Sequence, residues 1–164
     1  MTKATEAPHN EWADLARLVR EYQQVADNPV IRPLGRHYDV VITVAGDAGE
    51  RLLQLMDAVQ PGGCGPVVAE EGRPWLYWFV PPGTAGTWHN RYAACLTTPM
   101  KIAFPPAGHE RPPGPYWLRP FRSGVRVGPA LLHDALNAIQ PGLTPYDALG
   151  ELLGLGREGP WPTA

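Results

Sequence analysis

The fold is decided by residues 38–59, which read YDVVITVA, then GD at 46–47, then AGERLLQLMDAV. The β-branched run at 40–44 is typical of a buried strand. Leucines and Met56 then recur at helical spacing. Asp47, with Glu50 three residues later, predicts a capping box where this helix starts, and Pro61–Gly63 ends it. The stretch therefore predicts a strand that passes directly into an amphipathic helix.

The flanking segments predict further elements on both sides of this unit. Asn10 caps a predicted helix from Glu11 through Val25, and a proline-containing link follows it. Strands are predicted at 66–69, 75–80, 92–97, 100–104 and 116–118, a helix opening at Gly128–Pro129, and a short helix from Thr144 through Leu153. This order predicts an α+β domain at residues 10–153, with flexible tails at 1–9 and 154–164. Its sheet is expected to be mostly antiparallel, with helices packed on one face.

Composition restricts the class of protein. A chain of 164 residues fits one domain, and its 20 prolines and 18 glycines predict long irregular connections. A net charge of −2 lacks the basic excess of a strong nucleic-acid binder. Cys64 and Cys95 form no CxxC motif and are interpreted as small buried thiols in a reducing compartment. Because no signal-like or membrane-spanning apolar stretch occurs, a cytoplasmic protein is expected.

The order of the motifs resembles a known family. The motifs are Asp39–Val41, Gly49–Leu55, Gly65–Val67, Trp75–Gly83, Phe104–Pro106 and Tyr116–Pro120. In this order they resemble the Prim-Pol domain, the N-terminal domain of bifunctional DNA primase/polymerases in the archaeo-eukaryotic primase superfamily, and most of all its short actinobacterial members. The resemblance covers roughly residues 11–140 and implies an RRM-like sheet with helices behind it.

The chain departs from that family where its active members carry their catalytic groups. Two acids, a histidine and a third acid correspond by order to Thr43 and Ala45, to Trp75, and to residues 97–101, which contain no Asp or Glu. A hydroxyl and a methyl group cannot replace the anionic oxygens that Mg²⁺ requires, and nucleotidyl transfer depends on that metal. The resemblance thus implies a catalytically degenerate member with no catalytic residues, metal or cofactor.

The alternative is an active primase/polymerase-type nucleotidyltransferase with a rearranged metal site. Asp39 and Asp47 are its candidate ligands, but the strand between them spans on the order of 25 Å, too far for one ion. We interpret Asp39 as a charge at the entry of the strand and Asp47 as a helix cap.

A basic and aromatic segment is the candidate surface for a nucleotide or nucleic acid. Guanidinium groups pair with phosphates and aromatic rings stack on bases. A solvated basic face is the competing interpretation, which the absence of a glycine-rich phosphate loop favours. The candidate residues are Arg111, Tyr116, Trp117, Arg119, Arg122 and Arg126.

Aromatic residues around the second hairpin strand are the interface candidates: Trp75, Tyr77, Trp78 and Trp88. Alternation along a strand puts Trp75 and Tyr77 on one face and Trp78 on the other. Either both faces are core, or one exposes rings to a partner, a second copy or a single-stranded nucleic acid. His89 lies in a polar loop, and the remaining histidines have no metal-ligand spacing.

These patterns together favour a non-catalytic binding or regulatory module. Its ligand is expected to be a protein partner, a second copy of the chain, or a nucleotide or nucleic acid. The acidic balance favours a protein over a nucleic acid.

Overall fold

The structure, a computed structural model, describes residues 30–142 and 144–146. The helix predicted at 11–25, both predicted tails and most of the short helix predicted from Thr144 lie outside these residues.

Seven strands and two α-helices make up the described chain, together with a 3-10 turn at Thr84–Gly86. The strands are β1 (Val30–Pro33), β2 (Asp39–Val44), β3 (Val67–Glu70), β4 (Trp75–Val80), β5 (Ala94–Leu96), β6 (Lys101–Phe104) and β7 (Pro115–Arg119); the helices are α1 (Gly46–Val59) and α2 (Pro129–Ile139). Among the described residues, no helix combines the length and the apolar character needed to cross a membrane.

Five of the strands form an antiparallel sheet in the order β5-β2-β4-β3-β7. β2 and β3 are joined by α1 and lie on either side of β4, which is the split β-α-β arrangement of ferredoxin-like and RRM-like sheets. β7 extends this sheet at the edge beyond β3. The predicted α+β class, with a mostly antiparallel sheet and helices packed on it, is confirmed.

The helices cover one face of this sheet. Leu52 and Met56 of α1 pack with Leu132 and Leu136 of α2 against Trp78, and all five side chains are fully buried. Burying side chains of this size contributes about 1.5–3 kcal/mol each relative to leaving them in water. This layer is therefore the main core of the domain.

The predicted capping box at the start of α1 is wrong. The N-cap residue is Ala45, no side chain caps the helix, and the exposed Asp47 already lies in the first turn. β2 runs up to Val44, and the chain enters α1 through Gly46 at a φ of 76°, which glycine adopts at little cost. The helix therefore begins before Asp47 can serve as its cap.

A two-stranded ribbon of β1 and β6 lies against the opposite face of the sheet. The strands pair antiparallel with Val30 opposite Phe104, and both residues are buried. Phe104 contacts the rings of Phe79 and Trp117 edge to face, at centroid distances of 6.0 and 5.0 Å. The prediction placed β1 in a link, because only four residues ending in proline form it. The face opposite α1 and α2 is thus covered by the ribbon over this aromatic cluster.

Candidate functional surfaces

The end of β2, to which the resemblance to the Prim-Pol family assigns two acids, is part of the core. Thr43 is fully buried on the helix side, and the Trp78 indole N–H donates a 2.7 Å hydrogen bond to its hydroxyl oxygen. Ala45 donates its N–H to the Pro74 carbonyl at 2.8 Å, which holds the chain where the helix begins. Because strand residues alternate, the other face of β2 carries Val40, Ile42 and Val44. From Val40 onward, neither face of β2 supplies a carboxylate.

Asp39, the first residue of β2, is a buried anchor for two loops. Its Oδ2 accepts hydrogen bonds from the N–H groups of Gly83 at 3.1 Å and Ala85 at 3.0 Å, and its Oδ1 accepts one from the Thr97 hydroxyl at 2.7 Å. Such a carboxylate is stabilised by the donors around it. Asp47 is exposed beyond the far end of β2. The two acids therefore serve separate places in the fold.

In the described part of the chain, metal-ligating side chains are not gathered in one place. Within residues 30–142 and 144–146, no three His, Cys, Asp or Glu residues are grouped so that they could hold a metal ion. The rings of His109 and His133 are each within hydrogen-bond distance of a backbone carbonyl, that of Pro113 at 2.9 Å and that of His89 at 2.8 Å. The donor set that nucleotidyl transfer needs is not assembled by these residues.

Two arginines of the basic segment, Arg119 and Arg126, already bind other groups of the same domain. Arg119 forms a bidentate ion pair with Asp57 of α1, with its Nε 3.2 and 3.1 Å from the two carboxylate oxygens. Its hydrogen bonds hold the pKa of Asp57 below the ordinary value of 3.8. Arg126 donates to the His37 carbonyl at 3.1 and 3.2 Å and lies 4.8 Å from the centroid of the Phe121 ring. These guanidinium groups already have partners.

The other residues of the predicted binding segment do not form one surface. Trp117 is 3% exposed and donates its indole N–H to the Pro105 carbonyl at 3.2 Å, so its ring is not available to stack on a base. Tyr116 packs at the margin of the helix-side core, whereas Arg111 and Arg122 are exposed.

The four interface candidates likewise lie in different environments. Trp78 is fully buried, which removes it from any surface of the folded domain. Trp88 is half-buried, donates to the Ala93 carbonyl at 2.9 Å and meets the His133 ring edge to face at 5.6 Å. Trp75 and Tyr77 are half-buried on the ribbon side. Of the four, Tyr77 alone lines the cavity described below.

The cysteines are held as neutral thiols. Cys64 is buried and Cys95 half-buried, and burial raises the pKa of each thiol to about 12. The Asp57 carboxylate adds to the effect at Cys64, and Asp39 does so at Cys95. Because the thiolate is the nucleophile, neither side chain is activated for chemistry.

A small cavity that the sequence did not reveal lies between the ribbon and the sheet. Its volume is about 140 Å³, and we call it the β6 crevice. Burial, with the nearby Glu70 carboxylate, raises the pKa of Tyr77, so that its hydroxyl keeps its proton. The sequence predicted β6 as a strand but not that it would lie across the large sheet. The lining residues are Val68, Glu70, Tyr77, Lys101, Ile102, Ala103 and Pro115.

Comparisons with family models, with curated proteins and with solved structures gave no match to this chain.

Proposed function

We propose that this chain is a non-catalytic binding or regulatory module of the Prim-Pol type that engages a protein partner in the cytoplasm. The observation that carries the proposal is the end of β2. There the Thr43 hydroxyl accepts a hydrogen bond from the buried Trp78 indole, and the opposite face of β2 is aliphatic. A divalent ion for nucleotide joining needs carboxylate oxygens at such a place.

A protein is a better-supported ligand than a nucleic acid. Arg119 is paired with Asp57, Arg126 with the His37 carbonyl, and Trp117 is buried. A strand of nucleic acid would have to displace these contacts to use the guanidinium groups and the ring. The net charge of −2 also opposes binding to a polyanion.

Apolar surface that a protein partner could cover adjoins the β6 side of the ribbon. Met100, directly before β6, is 45% exposed. A single exposed hydrophobic residue is ordinary on a soluble protein. Here it lies beside a strand that pairs with β1 alone among the described residues, which favours the β6 side of the ribbon as the docking region.

Primer synthesis and extension test the non-catalytic half of the proposal. The purified 164-residue chain is incubated with a labelled oligonucleotide, template and nucleotides, with Mg²⁺ or Mn²⁺, beside an active primase-polymerase as positive control. We expect no extension with either metal. Metal-dependent extension by this chain would overturn the proposal and favour the rearranged-site enzyme.

Ligand class is tested by binding to single-stranded DNA and by recovery of a partner. We expect no salt-sensitive binding to a labelled oligonucleotide, and no change in the Arg122→Ala variant. In-cell crosslinking of the tagged chain is followed by reconstitution of the complex from purified components and by light scattering for self-association. A protein complex that forms without nucleic acid supports the proposal, and DNA binding that weakens in Arg122→Ala contradicts it.

A further inference from the structure

β6 has a free edge. Within the described chain it pairs with β1 alone, and the Leu34 N–H donates to the Met100 carbonyl at 2.9 Å. Antiparallel ladders alternate, so Ile102 and Phe104 also bond toward β1, whereas the N–H and C=O groups of Lys101 and Ala103 point away from it. Pro33, which has no N–H to donate, lies opposite Lys101, as this alternation requires.

The free edge opens into the β6 crevice. Lys101, Ile102 and Ala103 all line it, although consecutive side chains on a strand point to opposite faces. No residue of β1 lines the crevice, so it lies on the side of β6 that faces away from β1, where the N–H and C=O groups of Lys101 and Ala103 point. Val68 and Tyr77 of the large sheet also line the crevice, as does Pro115 at the start of β7.

The crevice combines apolar surface with polar groups suited to a peptide backbone. Val68 and Pro115 are buried aliphatic residues beside the half-buried Tyr77 ring. No hydrogen bond joins the Tyr77 hydroxyl or the Glu70 carboxylate to another part of the described chain. The hydroxyl can donate to a carbonyl, and the carboxylate can accept from an N–H.

We propose that the β6 crevice binds an extended segment of a partner protein, which adds as a strand to the free edge of β6 and places one aliphatic side chain against Val68 and Tyr77. The inference rests on the proposed function, because it names how the protein partner docks. Strand addition of this kind takes affinity from main-chain hydrogen bonds and specificity from pockets for alternate side chains.

Two observations select this occupant. Edge N–H and C=O groups that repeat every second residue, at Lys101 and Ala103, are complementary to another extended backbone. A volume of about 140 Å³ accepts one aliphatic side chain but not a nucleotide. The β6 strand of a second copy is already backed by its own sheet on the face that would have to contact Val68 and Tyr77. The partner segment is therefore one without such backing.

The test uses a phage-displayed library of random linear heptapeptides, selected against the 164-residue chain. Affinities of the selected synthetic peptides are measured by fluorescence anisotropy. Ala103→Pro removes an N–H that faces the crevice. Ile31→Pro is the matched control, because Ile31 pairs directly with Ala103 and directs its N–H to the opposite edge of the same ribbon. Proline is tolerated at such edge positions, and circular dichroism verifies that both variants are folded.

We expect the peptides to bind about tenfold more weakly to Ala103→Pro and unchanged to Ile31→Pro, because one backbone hydrogen bond is lost. Should Ala103→Pro fail to fold, peptides N-methylated at alternate positions are measured on the natural chain. Binding must then fall for one set of alternate positions and not for the other.

Selected peptides that bind Ala103→Pro and the natural chain equally, or N-methylation that has no effect, would overturn the crevice as the site. The proposal that the ligand is a protein would not be affected by either result. A library that yields no binder would likewise overturn the crevice. Primer extension would overturn the proposed function without changing the peptide result, so the two failures are distinguishable.

Discussion

The indole N–H of Trp78 donates a 2.7 Å hydrogen bond to the Thr43 hydroxyl, and both side chains are fully buried between the sheet and the helices. Removing the acceptor leaves a buried donor without a partner, which costs about 1–3 kcal/mol. Thr43→Ala is therefore expected to lower the free energy of unfolding by that amount in urea denaturation, whereas Thr43→Ser keeps the acceptor and loses less. Equal stability of Thr43→Ala and the natural chain would contradict this role.

Asp39 is expected to contribute strongly to stability, because its buried carboxylate joins two loops to the start of β2. Its carboxylate accepts hydrogen bonds from Gly83, Ala85 and Thr97, and Asp39→Ala leaves these donors without that acceptor. We expect a loss of about 3 kcal/mol or more in the free energy of unfolding. The matched control is Asp47→Ala, an exposed acid near the other end of β2, which is expected to change stability by less than about 0.5 kcal/mol. Similar losses in the two variants would contradict the assignment.

How far the sequence predicted this structure depends on how local each signal is. The strand at Trp75–Val80 was predicted with its observed bounds, because six strongly β-favouring residues lie between turn residues. β1 was missed, since four residues gain strand structure only by pairing with β6, some seventy positions later. Arg119 looked available for phosphate because its partner Asp57 lies 62 residues away. Contacts of that kind form only in the tertiary structure, and no local sequence pattern predicts them.

The ion pair of Asp57 with Arg119 predicts a specific pH dependence. The pKa of Asp57 is lowered in the folded state, first by the hydrogen bonds from Arg119. Its contribution to stability is therefore present above the unfolded pKa and lost as the pH falls through the folded value. Because both side chains are about one-third exposed, the loss is expected to stay below about 1 kcal/mol. Urea denaturation from pH 6 to pH 2 measures it, and Asp57→Asn is expected to lack this part of the decline.

The thiols are expected to react slowly in the folded protein. With the pKa of Cys64 and Cys95 each raised to about 12, almost no thiolate is present at pH 8. Labelling with iodoacetamide, followed by mass spectrometry, is expected to modify neither residue appreciably in the native state within minutes. Both should react readily in denaturant, which serves as the internal control. Rapid native labelling of either cysteine would show that its surroundings are less apolar than described.

The ribbon is expected to contribute to stability through its inner face and not through its outer one. Phe104 is buried against Phe79 and Trp117, and Phe104→Ala removes a large side chain from that cluster. We expect the free energy of unfolding to fall by about 3–5 kcal/mol. Ile31→Ala, on the exposed face of β1, is the control and is expected to cost less than about 0.5 kcal/mol. If the two variants were equally stable, the ribbon would not be part of the core, and the crevice beneath its edge would lose its wall.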